Sequence, residues 1–159
     1  MGVIGEPRTT GDVDVIAFAS AEDAESLIAR ASNAGFEVHV SLERQRLRET
    51  GTLRFRQGSF QLDIIVASLP FEEAAYARAV TTTLFGRPLL LPTPEDLILL
   101  KVLAGRDKDL VDATGVARRH LGRLDLRYLE ETIQGICDLA EDVQPWRRLE
   151  RVLSKASME

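Results

Sequence analysis

Three aspartates stand where a carboxylate has chemistry to offer. Asp12 and Asp14 flank Val13, and Asp63 interrupts the apolar run Phe60-Gln61-Leu62-Asp63-Ile64-Ile65-Val66. Side chains two apart on a strand point the same way, about 6.6 Å apart along the chain, so Asp12 and Asp14 present two carboxylates to one side. Asp63, on a strand of the same sheet, can bring a third within reach. Converging carboxylates repel one another strongly where the dielectric constant is low, and a bound cation removes that cost. Hard oxygen ligands of this kind suit Mg²⁺ or Mn²⁺. Two such ions about 4 Å apart can activate an attacking hydroxyl and stabilise the leaving oxygen of a nucleoside triphosphate. The spacing alone leaves a second reading open, because Asp-x-Asp recurs by chance and Asp14 can be a solvated edge residue.

The elements that must hold these residues follow from periodicity and breakers. Val13, Val15, Ile16 and Phe18 predict a strand entered from Pro7-Arg8-Thr9-Thr10-Gly11. Ser20 with Asp23 three residues on is a capping box, and Ala24, Leu27, Ile28 and Ala31 continue at helical spacing until Gly35. Residues 36–40 read as a short strand and 42–49 as a polar helix or helical turn. Residues 52–57 and 60–67, separated by Gly58-Ser59, read as a β-hairpin whose second arm carries Asp63. Residues 70–79 read as a helix with Pro70 in its first turn, and 89–91 as a strand. Thr93-Pro94-Glu95-Asp96 is a helix start with an N-cap hydroxyl, proline at the first position and acids facing the macrodipole. That helix is expected to run from 94 to 104, with further helices over 108–120, 125–141 and 145–155.

Here a family resemblance enters. Gly5-Glu6-Pro7-Arg8-Thr9-Thr10-Gly11-Asp12-Val13-Asp14-Val15 resembles the G-x-P-R-x-T-x-D-[IV]-D-[LV] segment of the minimal nucleotidyltransferases related to AbiEii-type toxins. The run from Leu91 to Asp112, containing Pro94-Glu95-Asp96-Leu97, Lys101 and Arg106-Asp107-Lys108-Asp109-Leu110-Val111-Asp112, resembles that family's P-E-D-L-[IL]-x-x-K…R-x-K-D-x-x-D pattern. The two matches, with Asp63 between them, span about two thirds of the chain from Gly5 to Asp112. The resemblance implies an α/β (α+β) nucleotidyltransferase-like fold: one domain over 1–159, with a small mixed sheet flanked by helices in 1–92 and a mainly helical part in 93–159. It implies Asp12, Asp14 and Asp63 as the ligands of a two-ion Mg²⁺ or Mn²⁺ site, with Asp63, the third carboxylate, also helping to activate the acceptor hydroxyl. Arg8, Thr10, Lys101, Lys108 and Asp112 would serve the nucleotide. Arg8 can pair with the carboxylates or clamp a phosphate, Lys101 can face the phosphates or snorkel from an apolar helix face, and Asp112 can simply answer a helix dipole.

The implied activity is transfer of a nucleoside monophosphate from an NTP to a hydroxyl of RNA, such as tRNA, or of protein. Members of that family carry, ahead of the G-x-P-R segment, a Gly-Gly or Gly-Ser motif that holds the triphosphate, and Gly2 and Gly5 do not replace it because no helix follows them. The alternative expectation is therefore a truncated or non-catalytic member of the fold that binds a nucleotide or a protein partner, in a toxin–antitoxin setting.

Composition bounds the rest. The chain has 159 residues, 45% hydrophobic and 28% charged, the proportions of an ordinary globular protein with one packed core. A net charge of −5 argues against general nucleic-acid coating. Even so, Arg44, Arg46, Arg48, Arg54 and Arg56 crowd into a short stretch that reads as a solvated face or an RNA contact. Cys137, the single cysteine, allows no internal disulfide and reads as a small buried hydrophobe. The absence of a signal peptide or a long apolar run gives the expectation of a cytoplasmic monomer or homodimer with no membrane contact. His39 reads as a structural histidine in a strand, His120 as a helix-end residue meeting the dipole, and Trp146 as an anchor for the last helix.

Overall fold

The computed structural model describes residues 12–67, 69–84 and 86–158. It is a mixed α/β protein, and its described part divides into two compact units, one ending at Glu73 and the other beginning at Ala74.

The first unit is built on three strands. β1 (Asp12–Ala17) is followed by α1 (Ala21–Asn33), α2 (Val40–Thr50), β2 (Thr52–Gln57) and β3 (Phe60–Val66). The sheet order is β1-β3-β2, with β3 parallel to β1 and antiparallel to β2. The α1 start is the expected capping box: the Ser20 hydroxyl accepts from the Asp23 amide at 3.1 Å and donates to the Asp23 carboxylate at 2.7 Å. The β2–β3 turn is the expected hairpin. Gly58 sits at φ +58°, the positive value that the first loop position of a primed two-residue turn requires. One face of the sheet, with Leu53, Phe55, Leu62 and Ile64, packs against Leu27, Ile28 and Ala31 of α1, Leu47 of α2, and Phe36 and Val38. Because side chains alternate along a strand, the opposite face takes Asp14, Arg54, Arg56, Gln61 and Asp63.

The strand expected over residues 36–40 shrinks to one bridge, Glu37 with Arg56. The cause lies on the free edge of β2. There the Arg54 amide, which a fourth strand would have to satisfy, donates instead to the buried Glu43 carboxylate at 2.6 Å, so α2 closes the edge with a side chain. His39 is consequently the exposed residue ahead of α2 rather than a strand histidine.

In the second unit, α3 (Pro70–Arg78), which begins in the first, leads into the antiparallel pair β4 (Val80–Leu84) and β5 (Arg87–Leu91). β5 contains the expected strand at 89–91. Its partner β4, a β-branched run Val80-Thr81-Thr82-Thr83, is an addition to the expectation. Four helices follow: α4 (Pro94–Ala104), α5 (Asp107–Arg119), α6 (Leu126–Ala140) and α7 (Gln144–Ser157). Their core is Ile98, Leu99, Val102, Ala113, Val116, Ala117, Leu129, Ile133, Leu149, Val152 and Ala156, recurring at three- and four-residue spacings that put one stripe of each helix inward. α4 ends at Gly105 in the left-handed conformation (φ +68°), with the Arg148 guanidinium packed where a side chain on residue 105 would lie. Cys137 is half-buried on α6, less enclosed than expected, and Trp146 is half-buried at the start of α7. No helix of the described residues is long and apolar enough to cross a membrane.

Candidate functional site

The strand register places the two described carboxylates side by side. Asp14 on β1 and Asp63 on β3 are direct partners in the parallel pairing, on neighbouring strands about 4.8 Å apart. Asp63 is in turn the partner of Arg54 on β2. The three residues form one row across the polar face of the sheet: carboxylate, carboxylate, guanidinium. The next row is Asp12, Gln61 and Arg56, with Asp12 set opposite Gln61 by its backbone pairing. The side chain of Asp12, and Arg8 and Thr10 entirely, lie outside the described residues.

Like charges on facing strand positions cost free energy, and the row contains its own remedy. Arg54 grips Asp63 with both arms of its fork, Nε to Oδ1 at 2.7 Å and Nη2 to Oδ2 at 2.9 Å. Gln61 Nε2 donates to Oδ2 as well, at 3.1 Å, and its own Oε1 accepts from Arg56 Nη2 at 3.2 Å. The Asp63 side chain is only 20% exposed, so this bidentate pair is better shielded than a surface ion pair. The arginine cluster is thus partly used within the fold: Arg44 donates to Glu25, Arg46 lies 3.5 Å from Glu43, and Arg54 and Arg56 serve the Asp63 row.

Among the described residues no three His, Cys, Asp or Glu side chains gather as a ligand set. The donor chemistry that is described still fits a hard divalent cation: two in-register carboxylates on a polar sheet face, with a third aspartate two residues earlier on the same strand. Asp14 and Asp63 would hold such an ion.

Other residues singled out from the sequence lie in the second unit, most of them in two clusters. In one, Lys101 Nζ on α4 donates to Asp109 Oδ1 at 3.0 Å and lies 3.9 Å from Asp112 Oδ2, while Arg106 Nε donates to Asp109 Oδ2. Asp109 has no exposed surface. Burial alone would raise its pKa, but the hydrogen bonds from Arg106 and Lys101 outweigh that and hold the carboxyl below its ordinary value. Lys101 therefore neither snorkels nor stands alone: its ammonium neutralises a buried carboxylate. Lys108, on the same helix as Asp109 and Asp112, is exposed.

The other cluster centres on Asp96, also fully buried. Its Oδ1 accepts from the Tyr128 hydroxyl at 2.6 Å, and its Oδ2 from the Thr93 hydroxyl at 2.7 Å and Arg78 Nε at 3.1 Å. The Arg78 guanidinium lies 3.8 Å above the Tyr128 ring, a cation–π contact. Burial and the Asp96 carboxylate together push the Tyr128 phenol up to about 12. Glu95 caps the start of α6 by accepting from the Asp125 amide at 3.0 Å. The Pro-Glu-Asp segment is thus the organising centre of the helical unit.

Sequence reasoning brought forward Asp14 and Asp63 but missed Arg54 as Asp63's partner. The signal was present: counting outward from a two-residue loop at Gly58-Ser59 sets Arg54 opposite Asp63. Tyr128 and Arg78 carried no such local signal, because their contacts to Asp96 span 32 and 18 residues.

No protein-family model matches the chain. Nor does any curated protein.

Proposed function

We propose that this protein is a metal-dependent nucleotidyltransferase that moves a nucleoside monophosphate from an NTP to a hydroxyl of RNA or protein. The observation that supports this most is the in-register alignment of Asp14 and Asp63 on the polar face of the sheet, with Asp12 two residues earlier on β1. The resemblance of the Gly5–Val15 and Leu91–Asp112 segments to the AbiEii-related nucleotidyltransferases points the same way. In this reading Asp14 and Asp63 hold Mg²⁺ or Mn²⁺. A bound ion of this kind supplies Lewis-acid stabilisation of the phosphoryl oxygens. Asp63, on the central strand, accepts the proton of the acceptor hydroxyl, and with no nucleotide bound Arg54 holds its carboxylate in place.

A second reading, a non-catalytic relative that binds a nucleotide or a protein partner, draws on one observation. Both oxygens of Asp63 are already engaged by Arg54 and Gln61. Transfer of label from an α-³²P NTP to RNA or to protein, in Mn²⁺, separates the two. Catalysis at this site predicts that Asp63→Asn lowers transfer at least about 100-fold. Equal transfer by the variant and the parent chain would overturn the catalytic reading.

A further inference from the structure

The grip of Arg54 on Asp63 is more than a structural ion pair if the carboxylates are a metal site. A carboxylate offers about four acceptor positions, and three donor atoms already address those of Asp63: Arg54 Nε, Arg54 Nη2 and Gln61 Nε2. A divalent cation arriving at Asp63 meets a guanidinium already in place at hydrogen-bond distance, and the two positive charges oppose each other. Metal alone therefore has to displace a bidentate partner.

The surroundings of Arg54 make that displacement feasible. Its side chain is 39% exposed, so the guanidinium can turn away from Asp63 without leaving a buried hole. Its backbone is fixed separately, through the amide that donates to the buried Glu43 carboxylate at 2.6 Å. The strand can keep its register while the side chain changes partner. A guanidinium fork fits a phosphate as well as it fits a carboxylate.

We propose that Arg54 couples metal occupation of the Asp14–Asp63 pair to triphosphate binding, by exchanging its grip on Asp63 for a grip on a phosphate of the incoming nucleotide. This rests on the reading of the carboxylates as a metal site. With the nucleotide absent, Arg54 stands in for the cation at Asp63. With it present, the triphosphate draws the guanidinium away and exposes Asp63 to the ion. Linkage makes the effect reciprocal, so metal strengthens nucleotide binding by the same factor as nucleotide strengthens metal binding.

Calorimetric titration of the purified chain with Mn²⁺, with and without a non-hydrolysable nucleoside triphosphate, tests the exchange in the parent protein and in Arg54→Gln, Arg54→Lys and Asp14→Asn. In the parent chain, nucleotide is expected to tighten Mn²⁺ binding roughly tenfold, within the range usual for coupled sites. Arg54→Gln is expected to bind Mn²⁺ alone about tenfold more tightly than the parent, with little further gain from nucleotide. Arg54→Lys, which keeps the charge but not the fork, falls between the two and serves as the test should the Gln variant fold poorly. If both Arg54 variants bind Mn²⁺ no more tightly than the parent while Asp14→Asn abolishes binding, the metal site stands and the coupling role of Arg54 is overturned. If the parent chain binds no Mn²⁺ with or without nucleotide, the metal-site reading and this inference fall together.

Discussion

Asp63 answers two demands. Under the proposed function it must be fixed on a sheet face that also carries Asp14, and it must remain available to chemistry. Arg54 meets the first, because a fork that donates two short hydrogen bonds restrains both oxygens. Asp96 shows the contrasting use of a carboxylate. It is fully buried and takes donors from Thr93, Arg78 and Tyr128, so its role is to join α3, α4 and α6. Tyr128→Phe leaves one Asp96 oxygen without that donor, and a cost of about 1–3 kcal/mol is expected, read as a lower urea midpoint. The Tyr128 pKa is raised in the folded state, from 10.0 to about 12. The stabilisation it carries is therefore fully present below the unfolded value and is lost as pH rises through the folded one. The parent chain should lose stability between about pH 10 and 12 more steeply than Tyr128→Phe, which has no phenol to ionise, and denaturation midpoints across that window check the slope.

At the scale of elements, termini and turns decide where the site residues land. Gly58 fixes the hairpin, the hairpin fixes Arg54 opposite Asp63, and the parallel pairing of β1 with β3 brings Asp14 alongside. A one-residue slip at that turn would send Asp63 to the apolar face. α4 is similarly bounded, by the Thr93 cap at one end and Gly105 at the other. Gly105→Ala combines a strained left-handed backbone with a clash against the Arg148 guanidinium, which also donates to the Val102 carbonyl at 3.4 Å. A loss of about 1–3 kcal/mol is expected, with the midpoint of thermal unfolding reporting it. These boundaries were the most legible part of the sequence. The start and end of α4 are those expected from Thr93, Pro94 and Gly105, and the α1 cap is the one read from Ser20 and Asp23. The strand over 36–40 was misread because its alternation says nothing of what already occupies the neighbouring edge, and Glu43 takes the Arg54 amide. β4 was passed over although its β-branched run is a strand signal.

For the molecule as a whole, the mixed α/β class and the placing of Asp14 and Asp63 on strands were legible, because strand period and turn length are local properties, whereas the parallel pairing that sets Asp14 beside Asp63 joins residues far apart in the chain. The pairing of Lys101 with Asp109, and of Asp96 with Tyr128, depends on how helices stack across many residues, which no local pattern encodes. Under the proposed function, the net charge of −5, with much of the arginine cluster already paired, makes specific recognition at the carboxylate site the expected means of engaging an anionic substrate. A cation there would let a triphosphate approach residues that otherwise repel it. The most direct test of that claim is calorimetric titration of the purified chain with each of the four NTPs, in Mn²⁺ and in chelator, beside Asp14→Asn/Asp63→Asn. Binding of at least one NTP that requires both Mn²⁺ and the two aspartates is the predicted result. Binding that persists in chelator or in the double variant, or no binding of any NTP, would contradict it.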